Sequence, residues 1–472
     1  MRIFLVGSPK TIIGFDRVTK LPNLGLNSIA ANILSNNIEV RVLDLVLTAG
    51  KPSQYLLNSL KSYDPDIVGF SCMTFQYEDT LKLARLVRQH NMRTKIVIGG
   101  YHPTVEFENI VTSEYGRCVD FIVRNEGEAA FSLLVEQIQG EGDFCDIPSL
   151  SYMEKETLIH NPRGKLLELD RLKIPDRGKR ILKKGFHILG SPADVVETSR
   201  GCVNHCKFCS IQQMYGTQFR KYKIERVLED ILDARNHGAR AILIVDDNIT
   251  VDANRFENLC KEMIRRRLND IKYAVQASIP GLKRNPGLPK LMSEAGVDIC
   301  FLGIENSLSG NIDFLDTKQI LISETRELIN ELQGRGITVI GSFIIGNPGD
   351  TREIIYDNFH YANEMNIDIP LFLILTPFPK TKIREELTKK KLITNPDDYS
   401  KYDLFHANVK THYLTSRDLE KIRDEIAFKI LRKRSRFWRL AKKYPKFSTQ
   451  LLFDQIVSQP REVFGYMQGI FK

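Results

Sequence analysis

Three of the eight cysteines lie within eight residues, at Cys202, Cys206 and Cys209. The spacing Cys-x3-Cys-x2-Cys lets a short loop point three thiolates at one iron–sulfur cluster, for which four cysteines are the norm. No fourth cysteine is near, so one iron would lack a protein ligand, and an open metal position is what a ligand-binding site needs. A zinc site completed by His205 or Cys260 is the alternative. We expect the five remaining cysteines to be core or surface thiols.

Polar and small residues follow the apolar segments downstream of these cysteines. Carboxylates and amides at strand ends can accept hydrogen bonds from a ligand's ammonium or hydroxyl groups, and glycines let a ligand approach the backbone. The same residue types also cap helices, form turns or fill a barrel interior. The candidates are Asp246, Asp247, Asn248, Gln276, Ser278, Glu305, Gly341 and Gly346.

The first 140 residues alternate short apolar runs with helical patterns. Continuous apolar runs of this length, separated by helices, predict a parallel sheet covered on both faces. Ligands of such α/β sheets bind outside the carboxyl ends of the strands. The predicted strands are Arg2–Val6, Glu39–Leu45, Asp66–Phe70, Lys95–Ile98 and Phe121–Val123.

Residues 193–380 repeat the strand–helix rhythm six times, which predicts a partial (βα)6 barrel of the TIM type with its chemistry at the carboxyl ends of the strands. Residues 141–192 form a predicted linker that contains a small hairpin at 150–160. Residues 381–472 form a predicted helical region without strands. The six strands start near Asp194, Ala241, Lys272, Ile299, Ile337 and Pro370.

The charge of the chain is concentrated near its end. The chain holds 67 Lys and Arg against 58 Asp and Glu, a net charge of +9, and residues 421–446 alone hold eleven basic and two acidic residues. A solvated face of a helix that caps the barrel fits this composition. A peripheral contact with an anionic membrane, assisted by Trp438, fits it as well. No RNA-binding module accompanies the charge, so we expect no nucleic acid partner.

No apolar run approaches the 18 residues that a membrane-spanning helix requires. The few cysteines are far below the density of a disulfide-rich secreted domain. We therefore expect a cytoplasmic protein, with membrane association limited to its surface.

The cysteine motif, with Phe208 directly before its last cysteine, resembles the signature of the radical S-adenosylmethionine (SAM) superfamily. The resemblance extends over the six strand–helix units. It implies that Cys202, Cys206 and Cys209 hold a [4Fe–4S] cluster whose open iron binds SAM, which is then cleaved reductively to a radical. It also implies SAM contacts at Phe208 and at the candidates named above, with Asp246 and Asp247 in the active cavity. Lys380 departs from the family, where glycine is more usual.

The first 140 residues resemble the cobalamin (B12)-binding module that precedes the radical domain in one large subfamily, with a flavodoxin-like (Rossmann-like) fold. The matching motifs are LPNLGL at 21–26, GGYHPT at 99–104 and RNEGE at 124–128. No Asp-x-His-x-x-Gly follows a strand, so no cobalt-binding histidine is predicted. The resemblance implies cobalamin contacts at Gly7, Pro9, Ser71, Met73, Gly99, Gly100, His102, Pro103, Glu126 and Gly127.

Together these resemblances imply a cobalamin-dependent radical SAM enzyme that methylates an unactivated carbon of a hydrophobic or lipid-like metabolite, served by an electron donor such as flavodoxin or ferredoxin. A radical cyclase or oxidase, similar to the anaerobic magnesium-protoporphyrin ester cyclase, is one alternative. A non-catalytic cobalamin carrier or sensor is another. A methylthiotransferase is disfavoured, because the cysteine-bearing N-terminal domain of that family is absent.

Overall fold

The computed structural model describes residues 1–11, 18–34, 37–48, 50–113, 116–155, 157–317, 322–431 and 433–445. The strands are β1 (Arg2–Gly7), β2 (Thr19–Lys20), β3 (Glu39–Asp44), β4 (Ile67–Ser71), β5 (Lys95–Gly99), β6 (Phe121–Val123), β7 (Leu150–Glu154), β8 (Thr157–His160), β9 (His187–Ile188), β10 (Ser191–Val196), β11 (Ser199–Arg200), β12 (Arg220–Lys221), β13 (Ala241–Ile244), β14 (Lys272–Ala277), β15 (Val297–Glu305), β16 (Thr338–Ile345) and β17 (Ile369–Ile374).

Helices connect these strands and continue beyond the last of them. They are α1 (Leu24–Asn32), α2 (Pro52–Tyr63), α3 (Tyr77–His90), α4 (Tyr101–Val105), α5 (Phe107–Thr112), α6 (Gly127–Gly140), α7 (Ile211–Tyr215), α8 (Ile224–Asn236), α9 (Ala253–Arg265), α10 (Ile279–Lys283), α11 (Leu288–Glu294), α12 (Ser309–Leu315), α13 (Ile322–Gly334), α14 (Arg352–Glu364), α15 (Lys382–Lys389), α16 (Ser416–Leu431) and α17 (Arg434–Lys443).

The first domain is a sheet in the order β3-β1-β4-β5-β6-β7-β8. Its first five strands are parallel and have the flavodoxin-like order 2-1-3-4-5, as predicted. The order reverses between β1 and β4, so the ligand crevice of this fold lies beyond the carboxyl ends of those two strands. The predicted hairpin forms as β7–β8, and it extends this sheet in antiparallel fashion.

The second domain is a sheet in the order β17-β16-β15-β14-β13-β10-β9-β2. The six strands β10 and β13–β17 are parallel, which confirms the predicted partial barrel. Large buried side chains, among them Phe256 and Phe343, join the strands and the outer helices in one core. The short antiparallel strands β9 and β2 add an edge beside β10 that the sequence patterns did not predict.

Helix α17 closes the amino-terminal end of the barrel. Lys443 donates to the backbone oxygens of Asp298 and Gly336, and Arg436 donates to the backbone oxygen of Ile367. These cations of the basic segment therefore bind the barrel, as the capping interpretation predicts. Trp438 is exposed, and the predicted membrane contact stays a prediction. Residues 446–472 of the predicted helical region lie outside the described residues.

None of the helices in the described part of the chain combines the length and the apolar composition needed to cross a bilayer.

Buried arginines in the predicted linker join the two domains. Arg180 donates to both carboxylate oxygens of Asp194 on β10, at 2.6 and 3.0 Å, and to the side chain of Asn27 on α1 at 3.0 Å. Arg177 donates to Asp230 at 2.6 Å and is fully buried. These contacts fix β10, the first barrel strand, against the first domain.

Candidate active site between the two domains

The three cysteines lie in the segment between β11 and β12, just beyond the carboxyl end of β10. Strands β11 and β12 pair antiparallel, with Arg200 opposite Arg220. Gly201, between Arg200 and Cys202, has a φ of 86°. A Cβ at this position would lie 2.1 Å from the backbone oxygen of Gln218. Only glycine therefore fits where the segment turns toward the first cysteine.

Two neighbouring aspartates that follow β13 accept hydrogen bonds from residues 198–201, which lead into the cysteine segment. The buried Asp246 accepts hydrogen bonds from the backbone and hydroxyl of Thr198 and from the hydroxyl of Ser199. Asp247 accepts from the backbone of Gly201 at 3.2 Å. Burial raises the pKa of Asp247 to about 7. Both carboxylates thus position the cysteine segment, and the SAM contacts and catalytic roles implied for them stay predictions.

The thiols of Cys206 and Cys209 and the carboxyl group of Glu305 are partly removed from solvent. Burial, with the neighbouring thiols and Glu305, raises the pKa of Cys206 to about 12, and that of Cys209 is raised to about 11. Metal binding requires thiolates, and the positive charge of bound iron offsets the cost of burying them. Glu305 ends β15 in the left-handed region, with a φ of 66°, and burial raises its pKa to about 7.

Other residues predicted to contact SAM have structural partners. Asn248 caps the turn before α9 by accepting from Thr250, and Ser278 caps α10 by accepting from Gly281. A Cβ at Gly341 would meet Ile304 at 2.9 Å, so packing accounts for that glycine.

The remaining predicted SAM contacts lie on or near the barrel strands. Gly346 donates to the Asp350 carboxylate in the turn after β16. Phe208 is partly buried against the barrel core, and Gln276 lies on β14, partly exposed. Contact with SAM stays a prediction for these residues too.

The predicted cobalamin residues gather at the carboxyl edge of the first sheet, where β1, β4 and β5 end at Gly7, Ser71 and Gly99. Pro9 and Met73 follow the first two of these strands. Gly100 has a φ of 102°, and a Cβ there would lie 2.7 Å from the backbone oxygen of Cys72. Close backbone approach within the protein therefore requires this glycine.

Unsatisfied buried polar atoms lie along the same edge. Neither ring nitrogen of His102 has a hydrogen-bond partner, and the same holds for the Thr74 hydroxyl and for Oδ2 of Asp44. His102 is fully buried between Tyr77 and Tyr399, and burial lowers its pKa to about 3. Such atoms are rare in folded proteins and call for a partner. They fit a ligand rich in hydrogen-bonding groups, as cobalamin is.

Glu126 and Gly127 lie at the start of α6, and a Cβ at Gly127 would meet Ile29 at 3.2 Å. Glu126 forms ion pairs with Arg200 and Arg220 of the second domain. Sequence reasoning missed both arginines. The one signal available was the position of Arg200, two residues before the first cysteine.

The two residues that could complete a zinc site with the cysteine triplet differ in their surroundings. His205 is exposed, whereas Cys260 is buried in the barrel core on α9. Within the described ranges, no three His, Cys, Asp or Glu side chains converge on a single metal ion. Outside the triplet, three cysteines are buried, Cys145 is exposed and Cys118 is partly exposed; the buried ones are Cys72, Cys260 and Cys300.

Comparison with protein families assigns both domains. Residues 10–135 match the model of the B12 binding domain, and residues 196–362 match the model of the radical SAM superfamily. The first range covers β3–β6 of the flavodoxin-like sheet, and the second runs from the last residue of β10 through the barrel strands β13–β16 into α14.

The relatives and the solved structure described next match most of this chain. An uncharacterized methyltransferase of Pyrococcus horikoshii is 29% identical over 89% of this chain and 90% of its own length. The anaerobic magnesium-protoporphyrin IX monomethyl ester cyclase of Cereibacter sphaeroides is 27% identical over 77% of this chain, which spans 59% of the cyclase. The radical SAM methyltransferase TsrM from Kitasatospora setae, solved with cobalamin and a [4Fe–4S] cluster bound, superposes with a TM-score of 0.73 at 16% identity over 90% of each chain. At this identity the likeness shows the fold.

Proposed function

Because this chain belongs to the radical SAM superfamily and carries a B12 binding domain, we propose that it is a cobalamin-dependent methyltransferase that acts on an unactivated carbon of a hydrophobic small molecule. The observation that carries the proposal is the position of the cysteine segment. It lies at the carboxyl end of the first barrel strand and is joined by ion pairs to the carboxyl edge of the flavodoxin-like sheet. The proposed sites for the two cofactors therefore lie on facing sides of the domain boundary.

The residues on the barrel side hold and orient a SAM molecule. Cys202, Cys206 and Cys209 are the ligands of the cluster. Asp247 and Glu305 are partly buried carboxyl groups near these thiols, and in this proposal they accept from the ammonium and ribose hydroxyl groups of SAM. When bound, the cluster supplies the electron that cleaves SAM, and cobalamin carries the methyl group that is transferred.

We place the hydrophobic substrate near two exposed apolar side chains. Met73, after β4, is 48% exposed, and Val203, next to the first cysteine, is 47% exposed. Each lies beyond the carboxyl end of a strand of its domain, where the proposal places the substrate. The electron that reduces the cluster comes from a low-potential protein such as flavodoxin or ferredoxin, in the cytoplasm.

A radical cyclase is the second candidate, favoured by the 27% identity to the magnesium-protoporphyrin ester cyclase. Both candidates need the same cluster and differ in whether a methyl group leaves SAM for cobalamin.

The experiment is anaerobic purification, reconstitution with iron, sulfide and hydroxocobalamin, and incubation with methyl-¹³C-labelled SAM and a reductant. The proposed methyltransferase gives ¹³C-methylcobalamin, detected by mass spectrometry. A cyclase gives 5′-deoxyadenosine without labelled methylcobalamin. A carrier or sensor binds corrin but gives neither product, and that result contradicts an enzyme.

A further inference from the structure

One glutamate of the first domain contacts both ends of the cysteine segment. Oε1 of Glu126 lies 2.8 Å from Nη1 of Arg200 and 2.8 Å from Nη2 of Arg220. Its second oxygen, Oε2, accepts from Nη1 of Arg220 at 3.1 Å and from the backbone N–H of Leu167 at 2.8 Å. We call Glu126, Arg200 and Arg220 the arginine clamp.

The two arginines bracket the cysteines along the chain. Arg200 and Arg220 are directly opposite each other in the β11–β12 pair, and residues 201–219 between them contain all three cysteines. Contacts that hold both arginines in place therefore also hold the two ends of the cysteine segment.

The charges make the clamp depend on the first domain. Like charges directly opposite each other on paired strands repel. Glu126 lies between the two arginines, and Glu128 adds a second carboxylate at 2.6 Å from Arg200. Within the barrel itself, Glu197 contacts Arg200 at 2.9 Å. Arg200 and Glu126 expose 7% and 4% of their side chains. Without Glu126, Arg200 still pairs with Glu128 and Glu197, whereas Arg220 loses the carboxylate with which it pairs among the described residues. Loss of that partner leaves the largely buried charge of Arg220 uncompensated.

A hydrogen bond within the first domain connects the residue beside Glu126 to the predicted cobalamin edge. Asn125, the residue before Glu126, donates its backbone N–H to the hydroxyl of Thr104 at 2.8 Å. Thr104 belongs to α4, the helix that follows Gly100 and contains His102. The predicted cobalamin edge, Glu126 and the cysteine segment are therefore connected by adjacent contacts.

We propose that Glu126 is a positioning residue through which the first domain sets the conformation of the cysteine segment. The proposal rests on the proposed function only in taking that segment as the cluster site. It assigns Glu126 a different role from the cobalamin contact implied by family resemblance, because both its oxygens are occupied by the second domain and by Leu167.

The experiment compares Glu126→Gln with Asp194→Asn in the full chain, free of metal and corrin. Asp194 is a matched control, since it also pairs with two buried arginines, Arg177 and Arg180, but within β10 rather than at the β11–β12 pair. Hydrogen exchange with mass spectrometry is measured for peptides within 198–221 and within 177–195. The same variants are then titrated with hydroxocobalamin, and their reconstituted, reduced clusters are examined by electron paramagnetic resonance with and without SAM.

The proposal predicts that Glu126→Gln speeds exchange within 198–221 by at least about tenfold, which corresponds to about 1.4 kcal/mol at 25 °C. It predicts an altered response of the cluster spectrum to SAM and cobalamin affinity within about twofold of the wild type. Asp194→Asn speeds exchange within 177–195 and leaves 198–221 unchanged.

Three results overturn the proposal: unchanged exchange within 198–221 in Glu126→Gln, equal acceleration in both variants, or a tenfold loss of cobalamin affinity without any change in exchange. If Glu126→Gln does not fold, Arg220→Lys replaces it, because lysine keeps the charge but cannot pair with both carboxylate oxygens, and the same results decide. A wild type that binds neither iron nor corrin contradicts the proposed function, whereas the exchange comparison still tests the clamp.

Discussion

Thr198 donates its backbone N–H and its hydroxyl to the two carboxylate oxygens of Asp246, at 2.7 and 2.6 Å. The pair joins the end of β10 to the end of β13, four residues before the first cysteine. Asp246 is 1% exposed, so its carboxylate is committed to this contact. The start of the cysteine segment is therefore held from the barrel by Asp246 and from the first domain by the arginine clamp.

We expect Asp246→Asn to weaken this anchor, because an amide nitrogen cannot accept the bond that one carboxylate oxygen takes from Thr198. A buried donor left unsatisfied costs about 1–3 kcal/mol. The predicted result is a lower unfolding midpoint together with iron incorporation reduced by half or more. Asp368→Asn is the control, since Asp368 also accepts two hydrogen bonds while buried, at the opposite end of the barrel. Equal iron contents in the two variants would contradict a local role for Asp246.

We expect Gly201→Ala to lose iron binding almost completely. The positive φ and the 2.1 Å contact with the Gln218 backbone oxygen leave no room for a Cβ, so the turn into Cys202 must change. Gly310→Ala is the control, because a Cβ there meets nothing within 4 Å. Iron and sulfide analysis after reconstitution measures the effect, and normal iron content in Gly201→Ala would show that the segment tolerates another turn.

The sequence patterns predicted the parallel strands of both domains because most of these strands are short apolar runs, and β3 alternates apolar and polar residues. The predicted Phe121–Val123 matches β6 and the predicted Arg2–Val6 falls one residue short of β1. The two-residue strands β2 and β9 were missed, since polar pairs such as Thr19–Lys20 carry no hydrophobic periodicity. Their pairing depends on tertiary contacts.

The cysteines were evident from their spacing alone, whereas the groups that position them were not. Glu126 lies 74 residues from Arg200 and 94 from Arg220 in the chain, and nothing in local sequence indicates such a pairing. At Gly100 the sequence indicates the backbone conformation but not the reason for it. Its positive φ could be anticipated from a Gly-Gly turn, but the reason for it, close approach to Cys72, is visible only in the fold.

Asp44→Asn should stabilise the cobalamin-free protein at neutral pH. Burial raises the pKa of Asp44 from an ordinary 3.8 to about 6, so the folded state binds a proton that the unfolded state releases. Stability is then lost as pH rises from about 4 to about 6. Asparagine removes this loss, at most about 3 kcal/mol at pH 7. Thermal unfolding measured from pH 4 to pH 8 should show the midpoint of the variant increasing relative to that of the wild type as pH rises. A difference in midpoint that does not change with pH would contradict the assignment.

Tyr444→Phe should destabilise the barrel by about 1–2 kcal/mol. The Tyr444 hydroxyl donates to Asp298 at 2.7 Å and contacts the Thr338 hydroxyl at 3.0 Å, at the end of the barrel that α17 closes. Tyr413→Phe is the control, because Tyr413 is 69% exposed. Urea unfolding midpoints measure the difference, and equal midpoints would mean that α17 contributes nothing through this contact.

The most direct test is Mössbauer spectroscopy of the chain reconstituted without oxygen with ⁵⁷Fe and sulfide. The wild type should bind about four irons per chain as one [4Fe–4S] cluster, and SAM should change the spectrum of a single iron. The variant with Cys202, Cys206 and Cys209 all replaced by alanine should show no such cluster. A wild type without a [4Fe–4S] spectrum, or a triple variant that keeps one, would contradict the assignment of these cysteines as the cluster site.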